Sequence, residues 1–164
     1  MSAVADSTPL IYLSWLQDFY LLERLFGAVT IPPAVYREVV LEGRGLPGAA
    51  EVRRAEGDWL AVAEEPQAEQ VAQIMQHHGI EEGESQAIVL SLAIAAEVVL
   101  LDDKRAVKVA RQAGLQVVRT TAIYVAAKRL GLVPSVRDKL DQFRSIGFRL
   151  SEADYQAVLR LSGE

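Results

Sequence analysis

Four acids stand where an enzyme keeps its reacting groups. Asp6 closes a short apolar run, Ala3–Asp6, and Asp102 follows another, Val98–Leu101. Glu84 opens the segment Gly83-Glu84-Ser85. At about 100° per residue, Ala87, Ile88, Ser91 and Ala95 share its helix face, so this carboxyl belongs to an apolar, inward arc. On a helix over Pro33–Glu42, Glu38 falls between Ala34 and Val35, with Arg37 opposite. A carboxyl on an inward face is costly unless a cation or hydrogen-bond donors meet it. The chain has no cysteine, and its two histidines, His77 and His78, are adjacent and precede Gly79. That place suits a helix C-terminus, where positive charge is favoured. Converging carboxylates without thiolate or imidazole suit a hard cation, Mg2+ or Mn2+. Each acid also has a structural reading. Asp6 and Asp103 can cap helices, Glu84 can favour a helix start, and Glu38 can sit salt-bridged at the core edge.

The cations are distributed unevenly. Residues 1–103 carry 5 basic and 17 acidic side chains, a net of −12, while residues 104–149 carry 11 basic and 2 acidic, a net of +9. Acids and cations on adjoining faces suit a site that holds a metal on one side and a polyanion on the other. Solvated helix faces are the plainer explanation of the same asymmetry. Phosphate-loop, dinucleotide, zinc-protease and Gly-x-Ser-x-Gly patterns are all missing. Trp15 and Trp59 read as core residues rather than a base-stacking platform.

Elements must hold these groups in place. The pattern predicts strands at Ala3–Asp6, Ala28–Ile31, Trp59–Ala63, Val98–Leu101 and Leu115–Val118. Helices are predicted from Ser7-Thr8-Pro9, read as an N-cap with Pro in the first turn, to Leu16, over Phe19–Phe26, Pro33–Glu42 and Ala49–Gly57, and over Pro66–His78 and Glu81–Ala95. Others follow at Lys104–Ala113, Thr121–Leu130, Ser135–Ser145 and Ser151–Leu161. Strands alternating with helices imply an α/β three-layer sandwich, a central parallel sheet with helices on both faces. Ligands in such folds sit at the carboxyl ends of the strands. The chain's 164 residues suit one domain. Its longest apolar run, Ile88–Ala96, falls short of the roughly 20 residues of a membrane span, and the start carries no basic signal region. A cytoplasmic protein is the expectation.

The segments Val4-Ala5-Asp6-Ser7-Thr8-Pro9-Leu10-Ile11, Ile31-Pro32 with Val35-Tyr36 and Glu38, Gly83-Glu84-Ser85 with Ala87-Ile88, and Leu100-Leu101-Asp102-Asp103-Lys104 resemble the PIN-domain superfamily. The likeness is strongest to a PIN-like branch described as predicted nucleic-acid-binding proteins. It makes residues 1–150 a PIN-like domain, with 151–164 a C-terminal helix packed on it. It implies a metal-dependent ribonuclease using Mg2+ or Mn2+, with Asp6, Glu38, Glu84, Asp102 and Asp103 as metal-site acids. The catalytic set it implies is Asp6, Glu84 and Asp102, with Thr120 or Thr121 at the last position. Lys104, Arg105, Lys108 and Arg119 then hold the RNA backbone. Val107 stands where the branch commonly has Arg, and Arg119 where it commonly has Gly. The same resemblance implies a toxin-like role, a small antitoxin-like partner and a homodimer. Two other readings stay open: a non-catalytic nucleic-acid-binding module, or a protein-interaction module on the same fold.

Overall fold

Short, nearly continuous apolar runs build the sheet. In the computed structural model, which describes residues 1–164, the strands are β1 (Ser2–Ala5), β2 (Ala28–Ile31), β3 (Leu60–Val62), β4 (Val98–Leu100) and β5 (Val117–Val118). All neighbours are parallel, in the order β3-β2-β1-β4-β5. Ala3, Ala5 and Leu100 enter one core, while Val4, Val99 and Leu101 enter a second. Successive strand residues point to opposite faces, so a sheet apolar on both must be covered on both.

Ten helices cover it. The larger core takes α1 (Ser7–Trp15), α2 (Tyr20–Phe26), α3 (Pro33–Tyr36) and α4 (Ala49–Ala55), and later α8 (Thr120–Arg129), α9 (Val136–Ser145) and α10 (Glu152–Ser162). The smaller core takes α5 (Ala68–His78), α6 (Glu82–Ala93) and α7 (Lys104–Gln112). This is the α/β three-layer sandwich. Within the larger core, Asp18 accepts hydrogen bonds from the Tyr124 hydroxyl at 2.6 Å and the Lys139 ammonium at 2.6 Å. The buried carboxylate is thereby paired, and the turn after α1 is tied to α8 and α9. No helix is long and apolar enough to cross a membrane.

Three local expectations are corrected. Beyond Tyr36 the third helix widens into a π-helical stretch, Arg37–Glu42, in which the Gly43 amide donates to the Glu38 carbonyl at 3.0 Å. Glu38 is exposed as a residue there, yet its carboxyl still turns toward the acids, with Oε2 3.6 Å from where a Gly83 Cβ would stand. The N-cap of α1 is Asp6 rather than Ser7 or Thr8, and its side chain makes no capping bond. Trp15 is 50% exposed rather than core. It lies about 140° around α1 from the buried Leu10, so it faces away from the sheet. Trp59 does pack, against Phe19.

Candidate active site

The two central strands deliver Asp6 and Asp102 side by side. β1 and β4 are neighbours with Ala5 opposite Leu100, and the Asp6 amide donates to the Leu100 carbonyl at 3.1 Å. Both acids therefore leave the sheet at its carboxyl end. Asp6 is 3% exposed and Asp102 9%. The Asp102 carboxylate is held by Thr120, whose amide donates to Oδ1 at 2.9 Å and whose hydroxyl donates to Oδ2. Thr121 is buried one residue on and makes no bond to Asp102. Burial raises the Asp102 pKa, and the Thr120 bonds and the Arg119 charge hold it back.

α6 brings Glu84 to the same end of the sheet. Gln86 fixes that helix against α3: its Oε1 accepts the Ala34 amide at 3.0 Å, and its Nε2 donates to Glu65. Gly83 makes the approach close. A Cβ there would lie 3.3 Å from Asp6 Oδ1, 3.4 Å from Val35 Cγ2 and 3.6 Å from Glu38 Oε2. Gly83→Ala is therefore expected to press on both acids. Helix propensity favours Ala by about 1 kcal/mol, so the fold should survive while any stabilisation by Mn2+ shrinks. Melting curves with and without Mn2+ check this, and an unchanged Mn2+ response would show that the spacing is irrelevant.

The acids repel one another. Burial pushes the Asp6 carboxyl from 3.8 up to about 8; the Ser7 amide pulls it back, and Glu84, Glu38 and Asp102 push it further. Burial likewise takes Glu84 from 4.5 to about 7, opposed by the Glu81 amide and reinforced by Asp103, Glu81 and Glu38. Burial also raises Glu38, with Ser7 opposing. The donors are all carboxylate oxygens whose charge is unfavourable without a counterion, which fits a hard divalent cation. They are not preassembled around one: no three of them converge within ligand reach. Glu84 Oε2 instead accepts the Glu81 amide at 3.2 Å, capping α6. Asp103 Oδ1 caps α7, accepting the Arg105 amide at 2.9 Å and the Ala106 amide at 3.0 Å. The structural reading of Asp103 thus describes its contacts.

A cleft of about 1100 Å3 opens over this end of the sheet. Glu84, Asp102 and Asp103 line it, whereas Asp6 and Glu38 do not. Asp6 is buried behind it. Lys104, Arg105 and Arg119 line the same cleft, and Lys108 faces a neighbouring one. Arg105 donates to the Gly79 carbonyl at 3.4 Å, and Arg119 donates to the Asp102 carbonyl at 3.4 Å. Cations against acids are the arrangement a metal-and-phosphate site requires.

A family model described as a PIN domain matches residues 2–164. This chain is a PIN domain. Two solved structures share its fold. One is a PilT N-terminus domain protein, SSO1118, from the archaeon Sulfolobus solfataricus P2, at 14% identity and TM-score 0.56, covering 77% of this chain and 93% of the other. The second is PAE2754 from Pyrobaculum aerophilum, at 14% identity and TM-score 0.50, covering 79% of this chain and 90% of the other. No curated protein matches. In this PIN domain the segment after α9 also reaches the cleft, adding Arg149 and Asp154 to its wall. Reading the sequence missed both, since no motif marks them. The positive balance of residues 104–149 was the one available signal for Arg149.

Proposed function

We propose that this PIN domain is a metal-dependent ribonuclease. One observation carries the reading: Asp6, Glu84 and Asp102, from three separate segments, share one electrostatic neighbourhood at the carboxyl end of β1 and β4, beside a cation-lined cleft. PIN domains are commonly nucleases and generally depend on divalent metals, which supports it. Asp6, Glu84 and Asp102, with Glu38 beside Gly83 and Asp103 at the rim, would hold Mg2+ or Mn2+. A bound ion of this kind lowers the pKa of its water and offsets charge on a phosphate. Thr120 keeps both Asp102 oxygens in a fixed direction. Lys104, Arg105 and Arg119 bind backbone phosphate and set it against the acids. The toxin-like role, a small antitoxin-like partner and a homodimer rest on the resemblance alone.

The full chain is expected to cleave a single-stranded oligoribonucleotide with Mn2+ and not with EDTA. Glu84→Gln should lower that rate by about 100-fold, roughly 2.7 kcal/mol of barrier. A second reading, a nucleic-acid-binding module without turnover, is favoured by the engagement of Glu84 with the Glu81 amide and of Asp102 with Thr120. RNA binding with no cleavage at any Mn2+ concentration selects it.

A further inference from the structure

Beside the acid cleft lies a second cleft of about 530 Å3 on the outer face of α7. Its cations, Lys104, Lys108 and Arg111, stand at helix spacings of four and three residues, a stripe about 10 Å long. None forms an ion pair with a carboxylate. Like charges at these spacings destabilise a helix. The other side of α7 is already secured by Ala106, Val109 and Ala110 in the core, and Val107 packs into that core at the floor of the cleft, so folding does not call for the stripe.

Arg119 joins the two clefts. With Lys104 and Asp154 it lines both. Its Nε is buried and has no hydrogen-bond partner. A buried donor left unpaired is unfavourable, so the guanidinium has capacity for a further acceptor. Its nearest carboxylate is Asp154 of α10, at 3.9 Å from Nη1. An ion pair that long and partly exposed is weak and readily exchanged. Asp154 is also the only acid lining the α7 cleft.

We propose that the α7 cleft is a second backbone-phosphate subsite for single-stranded RNA, continuous with the acid cleft through Arg119, and that Asp154 holds Arg119 as an internal competitor which a phosphate displaces. This deepens the ribonuclease reading and rests on it for the identity of the polyanion. A strand lying along Lys108 and Arg111 would then pass Arg119 toward Asp102. Removing the carboxylate of Asp154 frees Arg119, so this substitution strengthens binding, whereas loss of Lys108 and Arg111 weakens it.

The test is fluorescence anisotropy of a labelled oligoribonucleotide of about 12 nucleotides with the full chain in EDTA, so that binding is read without turnover. Asp154→Asn is expected to tighten binding by about three- to tenfold. Asp154→Glu keeps the charge and should not tighten it. Lys108→Ala with Arg111→Ala, both on an exposed face, should weaken binding by about tenfold or more. The same pair should flatten the slope of log affinity against log salt by about 1.4, two contacts at about 0.7 each. Unchanged affinity in Asp154→Asn, or equal tightening in Asp154→Glu, overturns the competitor. An unchanged slope in the double variant overturns the subsite. So does a poly-glutamate peptide that follows the same variant pattern while RNA does not, since the face would then serve an acidic protein partner. A chain that cleaves RNA with Mn2+ yet binds identically in all variants keeps the nuclease reading and loses this proposal. A chain that never cleaves but shows the opposed shifts keeps the subsite and loses the nuclease.

Discussion

Asp102→Asn is expected to abolish both RNA cleavage and stabilisation of the protein by Mn2+. The wild-type melting temperature should rise with Mn2+, because an ion bound only by the native state stabilises it by about 2.7 kcal/mol at a hundredfold excess over Kd. For a chain of this size that is about 5–10 °C. The variant should still fold. An Asn amide keeps an acceptor for the Thr120 amide and gains a donor for the Thr120 hydroxyl, so both existing contacts survive. It also removes one charge from the set that pushes Asp6 upward, so the metal-free variant should melt no lower than wild type. A purely structural Asp102 behaves differently: its loss costs stability and leaves the Mn2+ response intact. Paired melting curves with and without Mn2+ separate the two, and identical Mn2+ responses in both proteins would sink the metal-site reading.

The second large effect is a stability that falls as pH rises. Asp6 has a pKa of about 8 in the native state against 3.8 ordinarily. Between those values the native state holds a proton that the unfolded chain releases. The unfolded state therefore binds fewer protons, and stability declines with pH. The slope approaches about 1.4 kcal/mol per pH unit for one such group. The contribution is complete below about pH 4 and lost through pH 8. Glu84, raised to about 7, adds a loss of the same sign that ends earlier and is lessened by its partial exposure. In EDTA, urea unfolding at pH 5, 6.5 and 8 should show the decline. Asp6→Asn should flatten it and be the more stable protein at pH 8. A wild type whose stability holds level or climbs across this window would mean that Asp6 is not the buried, charge-opposed group described.

Much of the architecture could be read from local pattern. Five apolar runs became five strands, and the alternation with helices implied the parallel sheet that is observed. Asp6 and Asp102 were placed at strand ends by the residues immediately before them, and Glu84 at a helix start by the Gly-Glu-Ser segment. Two local details depart from the simple pattern. Beyond Tyr36 the third helix widened into a π-helical stretch, and Asp6 took the N-cap position without using its side chain there. Asp103, for which a metal role and a cap were both open, makes the bonds of a cap.

Period, caps and breakers act within a few residues, so the chain alone settles which segments are strands and helices and which acids stand at their ends. Distances between those ends are another matter, because they depend on packing between segments far apart in the chain. Gln86 reaching the Ala34 amide, Gly83 leaving room for Asp6 and Glu38, and Thr120 closing on Asp102 are contacts of that kind. So is the return of α10, which brings Asp154 to Arg119 and sets an acid between two cationic clefts. No local rule carries such a contact, since it exists only once the sheet and both helical layers have closed around their cores. The charge on Asp6 belongs to the same class. An aspartate is ordinary in sequence, and burial beside three other carboxylates is what moves its proton affinity.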